Sequence, residues 1–165
     1  MRRSSKIAVA VAAVAAAALG VGLAPRSAEA ATAASTFTVT ANVLTACTIA
    51  STNITANYDP NATVATTQTG NVTLRCTRGT GYSVGLVSAH SWSMTNGSDT
   101  LSYSILQGAT TTPWTTASPV TGTNTGTFLV PINLVATLSI PPGQDVPGTV
   151  AGLPYTDTVT ATVTF

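Results

Sequence analysis

Thr36-Phe37-Thr38-Val39-Thr40-Ala41-Asn42-Val43 alternates apolar and polar residues without a break. Phe37, Val39, Ala41 and Val43 fall on one side, and Thr36, Thr38, Thr40 and Asn42 on the other. Successive side chains of a strand point to opposite faces, so the spacing predicts an amphipathic β-strand with one face meant for burial. The stretch stands just before the first cysteine. A second stretch of the same kind, Tyr155 to Phe165, sets Val159, Ala161, Val163 and Phe165 on one face and threonines on the other.

Working outward towards the N-terminus, Arg2, Arg3 and Lys6 precede an Ala/Val-rich apolar run, Ile7 to Leu23, and Ala28-Glu29-Ala30 follows it. A basic start, an apolar middle and a small-x-small site are the parts of a secretory signal peptide, so residues 1–30 are expected to be a cleaved leader. A retained membrane helix is the alternative, since the run approaches the length of a short span. The small-residue site and the dominance of Ala over Leu favour cleavage. Residues 31–165 then form one domain.

The chain has six basic and five acidic residues. The leader holds Arg2, Arg3, Lys6, Arg26 and Glu29, leaving Arg75 and Arg78 against Asp59, Asp99, Asp145 and Asp157. Two cations make no basic surface for a nucleic-acid backbone. Thr, Ala, Val, Ser and Gly dominate, which suits strands far better than helices. The expected fold class is all-β.

Cys47 and Cys76 are the only cysteines. In an exported chain they form one intramolecular disulfide as the simplest outcome. Closing a loop of about 30 residues contributes roughly 3–4 kcal/mol in the chain-entropy account. Metal binding is the weaker alternative, because the single histidine, His90, is remote in sequence.

Between these landmarks the pattern is one of short strands and turns. Leu44 to Ala50 reads as a strand, and Ser51 to Gly70 as polar and weakly patterned. Asn71 to Thr77 sets Val72, Leu74 and Cys76 on one face. Tyr82, Val84 and Leu86 share the next, and a hairpin across Asn96–Asp99 returns through Leu101, Tyr103 and Ile105. Gln107 to Gly126 reads mostly as loop, with Trp114 folded back as a lid. Pro131 interrupts the apolar stretch Thr127 to Ile140, which points to an edge, a bulge or two shorter strands. Pro141-Pro142-Gly143 stops it. Seven to nine short strands without a helical period make a β-sandwich.

Several of these pieces, in their order and spacing, resemble the spore coat protein U family, which includes pilins of the archaic (Csu-type) chaperone–usher pathway. They are Thr36–Val43 followed by Cys47-Thr48-Ile49, then Val72-Thr73-Leu74-Arg75-Cys76-Thr77 and Gly79-Thr80-Gly81-Tyr82-Ser83-Val84. After these come Asn96-Gly97 before Leu101-Ser102-Tyr103, Ile140-Pro141-Pro142-Gly143-Gln144, and Tyr155-Thr156-Asp157-Thr158-Val159-Thr160 closing on Phe165. Pro131 and the long 146–154 turn depart from the family pattern.

The resemblance implies an immunoglobulin-like sandwich that lacks one strand. A periplasmic chaperone lends that strand first, an outer-membrane usher takes part in assembly, and the leading strand of an identical or related pilin subunit replaces the chaperone's. Phe37, Val39, Ala41 and Val43 become the donor face, while Val159, Ala161, Val163 and Phe165 border the groove, with Phe165 offered to the chaperone. Burying Phe37, Val39 and Val43 would contribute about 5–8 kcal/mol as an upper estimate. The expected product is a structural subunit, periplasmic during assembly and then on the cell surface, with no catalytic residues, metal, nucleic acid or small-molecule cofactor.

Other readings stay open at this point. The leading strand could pair within its own domain, giving a self-complemented coat protein. Trp92, Trp114 and Tyr58 could form a sugar-stacking surface on an adhesive sandwich. Catalysis has little support, because His90 has no predicted partner and the four aspartates fall at turns or a strand start.

Overall fold

The structure is a computed structural model that describes residues 31–149 and 153–165. The expected leader, residues 1–30, lies outside the described residues. The chain divides into two units, residues 1–40 and Ala41–Phe165. In the first, residues 31–40 carry no strand, and Phe37 and Val39 are exposed.

The second unit is all-β among the described residues. Its nine strands are β1 (Cys47–Ser51), β2 (Thr66–Cys76), β3 (Gly81–Ser88), β4 (Ser93–Asn96), β5 (Asp99–Ser102), β6 (Ser104–Gln107), β7 (Val120–Thr123), β8 (Ile132–Ile140) and β9 (Val159–Thr164). They form a four-stranded sheet in the order β1-β2-β8-β6, a three-stranded sheet β7-β3-β9 and the hairpin β4-β5. Every pairing is antiparallel.

Alternation along each strand decides what is buried. β2 turns in Val72, Leu74 and Cys76, β8 turns in Ala136, Leu138 and Ile140, and β3 turns in Val84 and Leu86. These faces meet as one core, joined by Leu101, Tyr103, Ile105 and Trp114. Cys47 and Cys76 stand opposite each other in the β1–β2 register and are disulfide-bonded. The expected disulfide therefore staples an edge strand to the centre of its sheet.

Four features differ from the sequence reading. Thr36–Val43 lies in no strand: alternation fixes which face can be buried, but a ladder needs a partner backbone, and this stretch has none among the described residues. Leu101, Tyr103 and Ile105 are all buried, yet they do not share one strand. The chain breaks at Tyr103, so that β5 pairs with β4 while β6 crosses to β8.

Trp114 is no lid. It is fully buried, and its Nε1 donates to the Val84 carbonyl at 2.7 Å. β7 arises in a stretch read as loop; it offers a single large apolar residue, Val120, and so carries no periodic signal. It pairs closely with β3 because Gly122 lies under the Tyr82 ring, where any Cβ would collide. Pro131 proves to be a boundary, with β8 starting at the next residue.

Candidate strand-accepting groove

Among the described residues β9 is an edge strand, paired only with β3. Ala89 N donates to the Thr158 carbonyl, Thr95 and Thr156 exchange backbone hydrogen bonds, and the β3 register runs on from Ala89–Thr158 through Val87–Thr160 and Gly85–Thr162. In an antiparallel ladder, residues of hydrogen-bonded pairs alternate with residues whose N–H and C=O point the other way. Even-numbered residues of β9 therefore bond to β3. The backbone groups of Val159, Ala161 and Val163 point along the open edge.

The same three residues aim their side chains inward, where they are half-buried against the core. Phe165, expected on this face, is 56% exposed: it lies one residue beyond the end of β9, past the last ladder pair. On the opposite side of the sandwich mouth stands β1, the edge of the other sheet. Between the two edges opens a groove of about 740 Å³. Val72, Ala136 and Leu138 line it from the first sheet, and Leu86, Val159 and Ala161 from the second. An open edge above an apolar cleft offers a further strand both a ladder and a burial site.

One wall of the groove was missed in the sequence. Beyond β1, residues 52–58 form no strand, yet Ile54, Ala56 and Tyr58 pack on the core while Asn53, Thr55 and Asn57 are exposed. The period-two signal is there, but three inward residues set among Asn and Thr read as polar loop. Gly70 of β2 leaves the space that Ile54 fills. The Tyr58 hydroxyl accepts a hydrogen bond from Gln144 N at 2.8 Å. Gln144 in turn clamps Ser102, accepting from its N–H at 2.7 Å and donating to its carbonyl at 2.9 Å.

The far end of the groove is organised by Asp157, whose side chain is 2% exposed. Ser88 Oγ and Tyr103 OH each donate to Oδ2 at 2.6 Å, Thr158 N donates to Oδ1 at 2.7 Å, and His90 Nδ1 lies 2.8 Å from Oδ1. Burial pushes this carboxyl upward, but the hydrogen bonds from Ser88, Tyr103, His90 and Thr158 N outweigh it and hold the pKa at about 2. Burial, followed by the bond to Asp157, pushes the Tyr103 phenol well above its usual range. Ser88 Oγ also accepts from Trp92 N at 2.6 Å, fixing a turn in which Ser91 and Trp92 both take left-handed φ values, 53° and 63°.

His90 thus has a partner that the sequence did not disclose, and Asp157 is a buried hub as well as a strand start. Ser, His and Asp meet here, but the serine hydroxyl donates to the carboxylate and not to the imidazole. Among the described residues the imidazole is bonded to the carboxylate and not to the serine, so the order of a nucleophilic triad is not made. The three-aromatic sugar platform does not form either. Trp114 is inside the core, Trp92 packs edge-on against Tyr103 with ring centroids 5.9 Å apart, and Tyr58 belongs to the groove wall.

A sandwich with one open edge over an apolar cleft is a pilin-like β-sandwich in its class. Residues 33–162 match the Spore Coat Protein U domain, and the chain belongs to that family. Its fold is similar to that of a chain in the crystal structure of the chaperone–tip adhesion subunit pre-assembly complex from the archaic chaperone–usher Csu pili of Acinetobacter baumannii. The TM-score is 0.55 at 22% identity, and the match covers 74% of this chain and 40% of that one. This chain therefore spans less than half the length of the one it matches. No curated protein matches it.

Proposed function

We propose that the protein is a structural subunit of a surface pilus, assembled by donor-strand exchange. The observation that carries this reading is the free edge of β9 set directly over the apolar groove. Leading residues Phe37, Val39, Ala41 and Val43 supply what such a groove takes: an alternating strand whose apolar face stays exposed in its own copy, at 80% or more for Phe37, Val39 and Val43. A β-strand from one copy entering the groove of another gains ladder bonds and apolar burial together. Membership of the family supports the same reading.

The partners on this account are identical or related subunits, a periplasmic chaperone that holds the groove before assembly, and an outer-membrane usher. Export begins with a leader, residues 1–30, that is removed. The chain works in the periplasm and then at the cell surface, as a building element and not as a catalyst.

Deleting Thr36–Val43 from the exported chain tests this. Parent chain is expected to give SDS-resistant ladders that collapse on boiling, and the deleted chain only monomer. Ladders of equal length from the deleted chain would overturn the proposal.

A further inference from the structure

The formal charges of the body are sorted to its two ends. Arg75 and Arg78 lie at the end of β2 and in the turn after it, both exposed. At the other end of β2, Thr66 pairs with Ile140, which leads into Gln144 and Asp145. Gln144 ties that corner to Tyr58, next to Asp59, and to Ser102 of β5, the strand that starts at Asp99. β2 has 11 residues. At about 3.3 Å per residue the ends are roughly 35 Å apart, several times a Debye length of about 8 Å. Charges at one end therefore do not neutralise those at the other within one copy. Among the described residues, neither arginine and none of these three aspartates forms an ion pair.

The arginine end is also apolar and held in place. Phe128, Leu129 and Val130 are 42%, 78% and 57% exposed, on a loop whose Leu129 carbonyl accepts from Arg75 Nη1 at 2.9 Å. Exposed apolar side chains on a hydrogen-bonded loop are ready for docking without further ordering. The chain N-terminal to β1 starts from this end, since Ala46 N donates to Thr77 Oγ1 and Thr77 N to the Ala46 carbonyl. The aspartate end shows its own exposed apolar residues, Val64 and Leu153.

We infer that the Arg75–Arg78 end, with Phe128–Val130, docks on the Asp59–Asp99–Asp145 end of a second copy. The two surfaces differ and complement each other in charge. Such a contact is heterologous and propagates head to tail, as a linear polymer requires. It deepens the pilus reading and rests on it. Strand exchange makes the link, and the charged ends set the order and speed with which copies meet.

The test uses the exported chain with Arg78→Glu, Asp145→Lys and the two together. Both positions are exposed and outside any ion pair among the described residues. Arg75 is left intact because it holds the loop. At about 20 mM salt each single variant is expected to assemble about threefold to tenfold more slowly than the parent, and at about 500 mM salt within about twofold of it. The double variant leaves the ends neutral and at net −1, against +2 and −3 in the parent, so it too assembles slowly at low salt; at about 500 mM salt it comes within about twofold of the parent, which a misfolded protein would not do. Single variants that match the parent at low salt, or a slowing that persists at about 500 mM salt, overturn this inference alone. A parent chain that forms no polymer overturns the pilus reading and this inference with it.

Discussion

Tyr103 donates from its phenol to Oδ2 of Asp157 at 2.6 Å, so the chain break between β5 and β6 is tied to the segment that leads into β9. The edge strand of the groove is aligned by a polar contact inside the sandwich mouth. Removing the hydroxyl in Tyr103→Phe leaves Ser88, His90 and Thr158 N on the carboxylate and keeps the ring that Trp92 packs against. The expected loss is about 1–2 kcal/mol, read as a lower midpoint in urea. An unchanged midpoint would detach Tyr103 from the account.

Asp157 gives the acid response. Its folded pKa, about 2, lies below the ordinary carboxylate value. The stabilisation is therefore complete above the unfolded value of about 3.9 and is lost as pH falls from about 4 towards 2. Asp157→Asn should be less stable at neutral pH and should flatten the stability curve in that acid window. Urea midpoints measured from pH 7 down to 2 check both.

Trp114→Phe tests the reading of Trp114 as core. It removes the donor to the buried Val84 carbonyl and leaves unfilled volume, so a cost of about 2–4 kcal/mol is expected. A surface platform residue would cost almost nothing.

Reduction of Cys47–Cys76, or replacement of both cysteines by serine, is expected to destabilise the body by about 3–4 kcal/mol. Thermal unfolding with and without reductant measures it. The loss falls on β1, which borders the groove, so strand acceptance should weaken in parallel.

Ala161→Asp places a charge among the groove residues without touching the β3 ladder. The body is expected to fold, and the chain to form no polymer, because a carboxylate shut in with Leu86 and Ala136 has no partner. Circular dichroism and boiling-sensitive ladders read the two outcomes separately.

Strands whose apolar residues alternate were legible from sequence: β2 and β3 turn in the faces assigned to them, β9 half-buries Val159, Ala161 and Val163 of its face but not Phe165, and Asn96-Gly97 makes the hairpin turn. β7 was not legible, since Val-Thr-Gly-Thr holds no pattern and pairs only because β3 lies beside it. The break at Tyr103 was hidden because a strand that changes sheets keeps its alternation. At the groove, the β9 face could be read off directly, whereas the 52–58 wall and the Asp157 hub depend on contacts between strands that no local pattern announces, such as Ser88 with Asp157, 69 positions apart. The Thr36–Val43 stretch showed its apolar face in the sequence, but periodicity cannot say whose backbone it joins.

Amide hydrogen exchange along β9 tests the central claim most directly. In the chaperone-free monomer, Thr160 and Thr162 amides should be protected by β3, while Val159, Ala161 and Val163 exchange fast. In the polymer all five should be protected. Equal protection of the odd-numbered amides in monomer and polymer would mean that no incoming strand pairs with this edge.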